Sequence, residues 1–106
     1  MTHSEENYLK AIYHLTVQLE AEVPTNAIAE MMETKASSVT DMLKKLADKA
    51  LINYIKYQGV SLTEKGTHAA KMIVRKHRLW EVFLVEKLAF TWDEVHDIAE
   101  QLEHIK

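Results

Sequence analysis

The sequence of 106 residues contains no cysteine, only two glycines and only one proline. Without thiols the chain can form neither disulfides nor thiolate metal sites, so any bound metal must use nitrogen and oxygen ligands. Glycines and prolines this rare disfavour an all-β fold, whose many turns need them. No apolar run approaches the roughly 20 residues of a membrane span, and the N-terminus MTHSEENYLK lacks the basic start and apolar run of a signal peptide. We therefore expect a mainly helical, cytoplasmic protein with no membrane partner.

The net charge of −3 is not typical of a nucleic-acid-binding protein, but the charges are unevenly distributed. Residues 35–57 include five lysines and two acids, and residues 65–78 include five basic residues and no acid. Five acids lie in the last sixteen residues. A chain that is acidic overall can still present a basic face to DNA. Ordinary solvated helix faces would explain the same distribution equally well.

Apolar periodicity predicts five helices and one hairpin. The predicted helices cover residues 8–19, 26–33, 37–50, 64–88 and a last stretch from about residue 91. Ser4, Thr25, the two serines at 37 and 38, and Thr63 are the predicted N-caps of the first four. The runs LINYIKY and VSLT predict two strands joined by a two-residue turn, Gln58-Gly59. This order predicts a mainly α fold with a small β-hairpin: a winged helix-turn-helix followed by a helical region.

In a helix-turn-helix the second helix enters the major groove of DNA, and its N-terminal residues meet the base edges. Here short hydroxyl side chains lie at that end, and lysines beside them can neutralise phosphates. The predicted DNA-contacting residues are Lys35, Ser37, Ser38, Thr40, Asp41, Lys44, Lys45 and, in the wing, Lys56. Asp41 has an alternative role, since it lies three residues after Ser38 and could complete a capping box. The wing tyrosines could equally pack within the hairpin.

Side chains able to bind a metal are concentrated near the end of the chain. His96, Glu100, Glu103 and His104 form the pattern H-x3-E-x2-E-H, whose spacing aims several side chains at one point on a helix. A second pair at helical spacing, His77 and Glu81, lies about one helix upstream. Imidazole and carboxylate ligands suit several divalent transition metals, and a set rich in carboxylates favours Mn²⁺ or Fe²⁺. A solvated helix face is the alternative.

Five segments of the sequence resemble one known family. They are SEENYLKAIYHL, IAEMMETKASSVTDMLKKL, LTEKG, RKHRLWEVFLVEKL and VHDIAEQLEHI, and together they cover essentially the whole chain. The chain resembles the diphtheria-toxin-repressor-like metalloregulators, including streptococcal-type manganese-dependent repressors. The resemblance implies a metal-dependent transcriptional repressor of metal-ion homeostasis that binds double-stranded operator DNA as a homodimer. Residues 1–63 would form the DNA-binding domain and residues 64–106 the metal-binding and dimerisation domain. We expect the C-terminal SH3-like domain of many members to be absent.

The resemblance also implies two sets of metal ligands. His77, Glu81 and His96 match one set, and Glu100, Glu103 and His104 match the other, with a further ligand from Asn7 on the first helix. Position 100 is Cys in the iron-responsive branch, so Glu100 matches the manganese-responsive pattern and makes Mn²⁺ the expected corepressor, with Fe²⁺ as the alternative. Position 7 is usually Met or Asp, whereas Asn offers only a neutral carbonyl oxygen.

Two other classes of protein remain as alternatives. One is a winged-helix regulator that is not controlled by metal, in which the His and Glu side chains form surface or dimer salt bridges. The other is a small metalloenzyme, because His and Glu on paired helices also build catalytic di-metal sites. Against an enzyme, the sequence offers no plausible nucleophile–base pair and no Gly-rich phosphate loop. We therefore expect a regulator rather than an enzyme.

Overall fold

A computed structural model describes residues 1–56, 58–88 and 90–105, excluding the side chains of Leu88 and Trp92. Its elements are α1 (His3–Leu19), α2 (Thr25–Met31), α3 (Ala36–Asp48), β1 (Ile52–Ile55), β2 (Gly59–Leu62), α4 (Glu64–Leu88) and α5 (Trp92–Leu102). The predicted fold class, mainly α with a small hairpin, is confirmed. The chain forms two compact units, residues 1–70 and residues 71–106. The predicted domain boundary at residues 63 and 64 stays a prediction.

The first unit encloses a core that the three helices share with the hairpin. α1 packs against α2, α3 and β2, and α3 packs against β1. Its buried apolar side chains are Tyr8, Leu9, Ala11, Ile12, Leu15, Val23, Ile28, Val39, Leu43, Leu46, Leu51, Ile52, Val60 and Ala70. Most follow the three-and-four spacing of an amphipathic helix, although Leu19, at the end of α1, is 45% exposed. Helix, short helix, helix and hairpin follow in the order of a winged helix-turn-helix.

The hairpin differs from the prediction in its turn. β1 and β2 are antiparallel, with Ile52 opposite Leu62 and Ile55 opposite Gly59. The predicted two-residue turn Gln58-Gly59 is therefore wrong, because Gly59 belongs to β2, where it pairs with Ile55. Gly59 has φ +107, a conformation that side-chain-bearing residues rarely adopt. Tyr57, one of the wing tyrosines, lies outside the described residues.

A short third segment joins this hairpin. Val23, in the connection between α1 and α2, forms an isolated antiparallel bridge with Val60. The two residues exchange both backbone hydrogen bonds, at 2.8 and 2.9 Å, and neither side chain is exposed. A single bridging residue has no periodicity in the sequence, so the pattern did not predict it.

The helix starts correct several predicted caps. Thr2, not Ser4, caps α1, since its hydroxyl accepts from Glu5 N–H and the Glu5 carboxylate accepts from Thr2 N–H. α2 already includes Thr25, and Pro24 precedes it without a side-chain cap. Pro24 occupies the N-cap position, where its side chain offers no hydrogen-bond acceptor, so Thr25 is the first helical residue instead of the cap.

The start of α3 also lacks a side-chain cap, because Lys35 is its N-cap residue and Ser37 and Ser38 lie inside the helix. The predicted capping by these serines, and with it the capping box of Ser38 and Asp41, is wrong. Thr63 does cap α4 as predicted, since its hydroxyl oxygen accepts from Gly66 N–H at 2.9 Å.

Gly66 has a second, steric role at the start of α4. A Cβ atom at this position would lie 1.8 Å from the carbonyl oxygen of Leu51, closer than any non-bonded contact allows. Only glycine therefore lets α4 begin this close to the residue that precedes β1.

The second unit has its own small core. Leu84 of α4 and Val95 and Ala99 of α5 are buried. Trp80, Val85, Phe90, Ile98 and Leu102 pack partly buried against them. The residues facing this core recur at helical spacing on both helices, so α4 and α5 pair through apolar stripes. Among the described residues, no helix is long and apolar enough to cross a bilayer.

Candidate metal centre

The two ends of α5 show which of the C-terminal ligand candidates lie on this helix. Thr91 and Glu94 form a capping box, in which the Thr91 hydroxyl accepts from Glu94 N–H at 3.4 Å. The hydrogen bonds from the Thr91 hydroxyl and backbone also lower the pKa of the Glu94 carboxyl. α5 ends at Leu102, and Glu103 is its C-cap. The prediction that one helix carries all four C-terminal candidates is therefore wrong, since His104 lies in the turn that follows.

Three of the predicted ligands meet in one cluster. His77 and Glu81 lie one turn apart on α4, with His77 Nε2 2.7 Å from Glu81 Oε1. His96 of α5 approaches them, and the centroids of the two imidazole rings are 5.2 Å apart. One ligand atom from each of the three residues lies within 4.8 Å of the others. The structure therefore brings together the first of the two expected sets.

The donor atoms of this cluster, hereafter the His77 cluster, fit a divalent cation. Bond lengths of about 2.0–2.2 Å to nitrogen and oxygen let two ligands of one ion lie up to about 4.4 Å apart. The donor atoms of the three side chains lie within 4.8 Å of one another, a few tenths of an ångström more than this distance. A small rotation about the side-chain χ angles is enough to close the difference. Two imidazoles and a carboxylate suit Mn²⁺, Fe²⁺ and their neighbours.

Glu103 occupies a different position from the cluster. Its side chain is fully buried, and its Oε2 lies 2.7 Å from His77 Nδ1, the ring nitrogen that does not face Glu81. Its other oxygen, Oε1, lies 3.3 Å from His104 Nε2. The family resemblance implied that His77 and Glu103 belong to separate sets, whereas the structure joins them by a hydrogen bond. Nothing in the spacing of 26 residues could have revealed that contact.

The remaining ligand candidates are placed as follows. Glu100 is half-buried on α5, one turn after His96. Asn7 is half-buried on α1, in the first unit. That Glu100, Glu103, His104 and Asn7 bind a second metal stays a prediction.

The predicted DNA-contacting residues lie on α3, on the turn before it and beside the hairpin. Thr40 and Lys56 line one groove of about 480 Å³ together with Thr25, Asn26 and Tyr54. The Thr40 hydroxyl donates to the Ala36 carbonyl at 3.1 Å. The exposed members are Lys35, Ser37, Asp41, Lys44, Lys45 and Lys56, with Ser38 and Thr40 half-buried. Their contact with DNA stays a prediction.

Comparison with known proteins identifies both units. Residues 1–60 match the family model described as the N-terminal DNA-binding domain of iron-dependent repressors. Residues 63–106 match the model of the metal-binding and dimerisation domain of the same repressors. The chain belongs to the iron-dependent repressor family. This confirms the family predicted from the five sequence segments.

Several members of the family resemble the chain over nearly its whole length. An uncharacterised HTH-type transcriptional regulator of Methanocaldococcus jannaschii is 38% identical over 98% of the chain and 83% of that protein. The HTH-type transcriptional regulator MntR of Oceanobacillus iheyensis is 36% identical over 97% of the chain and 69% of that protein. The solved structure of the manganese regulator SloR is 42% identical, with a TM-score of 0.80, over all of the chain and 49% of that protein. The chain thus spans about half of the solved relative.

Proposed function

We propose that this protein is a transcriptional repressor that binds operator DNA as a homodimer when Mn²⁺, or alternatively Fe²⁺, occupies its metal sites. The observation that carries the proposal is the His77 cluster, in which two imidazoles and a carboxylate meet within 4.8 Å. Family membership supports the DNA-binding, metal-binding and dimerisation roles of the two units. The proposal places the protein in the cytoplasm, where its operator DNA would lie, and assigns it no catalytic activity.

Within this proposal each part of the chain has a separate task. α3 and the hairpin would contact DNA, with hydroxyl groups near the base edges and lysines on the phosphates. The His77 cluster would bind the cation through two nitrogens and one oxygen. A bound cation acts as a Lewis acid that neutralises the carboxylate and fixes the side chains around it. Dimerisation would place two α3 helices on half-sites about 34–36 Å apart.

The preference for manganese rests on ligand chemistry and on relatives. The predicted ligands include three glutamates and no sulfur, and oxygen-rich sets suit Mn²⁺ better than thiolate sets do. SloR is a manganese regulator, whereas the matching family models describe iron-dependent repressors. Metal selectivity in this chain is therefore proposed as Mn²⁺ first and Fe²⁺ second.

DNA binding with and without metal tests the proposal. Duplexes selected from a random library in the presence of Mn²⁺ serve as the probe, and fluorescence anisotropy measures their affinity with excess Mn²⁺ and with chelator. Coupling of about 1–3 kcal/mol would raise the affinity about 5–150-fold. His77→Ala should lose this response, whereas His68→Ala, an exposed histidine outside the cluster, should keep it. Equal affinities with metal and chelator would instead favour a winged-helix regulator that ignores metal.

A further inference from the structure

Glu103 is the most deeply buried ionisable side chain near the His77 cluster, with no exposed surface. A carboxylate removed from water is costly unless it is paired and hydrogen-bonded. Here each of its oxygens faces an imidazole, His77 Nδ1 at 2.7 Å and His104 Nε2 at 3.3 Å. The burial and both contacts point to a defined structural task for this carboxylate.

The two nitrogens of His77 face different partners. Nδ1 faces Glu103, and Nε2 faces Glu81 inside the cluster, also at 2.7 Å. A metal-binding histidine commonly donates its other ring N–H to a carboxylate, which fixes the tautomer and the ring orientation and makes the ligating nitrogen more basic. Glu103 stands where such a carboxylate would stand if His77 bound metal through Nε2.

We infer that Glu103 is a positioning residue for His77, which sets the metal affinity of the His77 cluster from outside it. The inference rests on the proposed function, because the cluster is the metal site proposed there. Glu103 holds the Nδ1–H of His77 and thereby presents Nε2 to the same space as Glu81 and His96. Toward the cation of the His77 cluster Glu103 is not a ligand, since it acts there only through the imidazole, and its predicted role as a ligand of the second set is separate.

The same carboxylate also connects His77 with His104. If the Glu103 carboxylate rotates or shifts to change its contact with His104, its hydrogen bond to His77 changes as well, because both oxygens belong to one rigid group. The two predicted ligand sets would therefore not bind metal independently. Occupancy of one set changes the affinity of the other, and the effect is reciprocal.

Metal titration of the cluster alone tests the positioning role. Glu100→Ala with His104→Ala removes two ligand candidates of the second set, and calorimetry then measures Mn²⁺ binding to the His77 cluster. Adding Glu103→Ala should weaken this binding about 10–100-fold. Glu103→Gln should stay within about threefold, because its amide oxygen can still accept the Nδ1–H. Asp97→Ala, which removes an exposed acid from α5, is the control for charge and should match the starting double variant.

Two results of this titration would overturn the inference. Unchanged affinity in Glu103→Ala would show that His77 needs no orienting carboxylate. Equal weakening by Glu103→Gln and Glu103→Ala would show that the negative charge itself acts on the cation, as expected of a ligand.

A second measurement needs no variant of Glu103 and so does not depend on that variant's folding. With Zn²⁺ as a diamagnetic probe, long-range ¹H–¹⁵N spectra of the parent chain report which imidazole nitrogen carries the proton. The expected result is a metal-bound Nε2 and a protonated Nδ1 on His77. Coordination through Nδ1, or the absence of Zn²⁺ from His77, would contradict the inference. Operator binding with Mn²⁺ is a separate measurement. The proposed regulation can therefore fail while Nε2 of His77 still binds Zn²⁺, and the regulation can hold while His77 does not bind Zn²⁺ through Nε2.

Discussion

At the scale of single residues, the buried carboxylates of Glu5 and Glu103 each pair with a basic side chain. Glu5 illustrates a structural use, because its side chain is only 5% exposed and its Oε2 lies 2.6 Å from Lys49 Nζ. The ammonium group of Lys49, followed by the hydrogen bond to the Thr2 backbone, lowers the pKa of Glu5 from 4.5 to about 2. This links the start of α1 to the residue that ends α3.

The Glu5–Lys49 pair predicts a specific dependence of stability on pH. A carboxyl whose pKa is lowered by folding contributes stability above about pH 4.5, and that contribution is lost as the pH falls toward 2. Lys49 is half exposed, so solvent screening reduces the contribution to at most about 1 kcal/mol. Lys49→Met should lower the free energy of unfolding by that amount at pH 6 and by much less at pH 2.5, measured by urea denaturation. Lys44→Met, at an exposed lysine of α3, should show no such difference between the two pH values.

Gly66 predicts a large effect from one added methyl group. Glycine to alanine within a helix normally stabilises by about 1 kcal/mol. Here the new Cβ would meet the Leu51 carbonyl at 1.8 Å, so the steric cost dominates. Gly66→Ala should lower the free energy of unfolding by about 3 kcal/mol or more. His68→Ala, an exposed change in the same turn, should stay within about 0.5 kcal/mol, and similar unfolding midpoints for both variants would contradict the steric argument.

The candidate site shows what residue spacing can and cannot predict. His77 and Glu81 are four residues apart on one helix, so their proximity follows from helical geometry alone. Their meeting with His96 was predicted by resemblance to a family, and the structure brings the three together. The hydrogen bond from His77 to Glu103 was not predicted, because it depends on how α5 ends and packs on α4.

At the scale of the elements, the helices were easier to predict than their ends. Apolar periodicity located all five, since a buried stripe must repeat every three to four residues. The cap of α1 was misplaced because hydroxyl residues lie both just before and just inside this helix, and α3 starts after Lys35 without any side-chain cap. The hairpin was predicted at the right place, but its turn was not. Gly59 was predicted to lie in the turn, whereas it has a positive φ and belongs to β2.

The capping box of α5 predicts how firmly the helix carrying His96 is held. Thr91→Ala would remove the acceptor for Glu94 N–H and destabilise the start of α5 by about 1 kcal/mol. Amide hydrogens of α5 should then exchange about fivefold faster, since local opening becomes easier. Thr91→Ser keeps the hydroxyl and should change the exchange rate little. Unchanged exchange in Thr91→Ala would show that the cap contributes nothing to α5.

At the scale of the whole molecule, one face of α4 carries several exposed apolar side chains. Leu79 is 59% exposed, Val82 50%, Phe83 42% and Met72 41%, and their spacing places them on one side of the helix. Contiguous exposed apolar side chains commonly mark a protein interface. The second unit matches the dimerisation domain of the family, so this face is the natural candidate for the dimer contact.

A charge placed on this face should therefore separate the dimer. Leu79→Glu would bury an unpaired carboxylate in the interface and weaken dimerisation at least about tenfold, as measured by sedimentation equilibrium. Operator affinity should fall with it, because two half-sites would no longer be bound together. Arg78→Gln makes the same change in net charge at an exposed neighbouring position and should leave the dimer intact. A fully dimeric Leu79→Glu protein would show that the interface lies elsewhere.

The bridge between Val23 and Val60 has a consequence for cooperative unfolding. Because the two residues exchange backbone hydrogen bonds and are both buried, the end of the hairpin nearest its turn cannot open without also releasing the connection that leads into α2. The wing and this connection should thus unfold as one unit, with shared protection of the two amides. In the proposed complex with DNA, a wing anchored in this way would reach the phosphate backbone already ordered, so that little of its conformational entropy would be lost on binding.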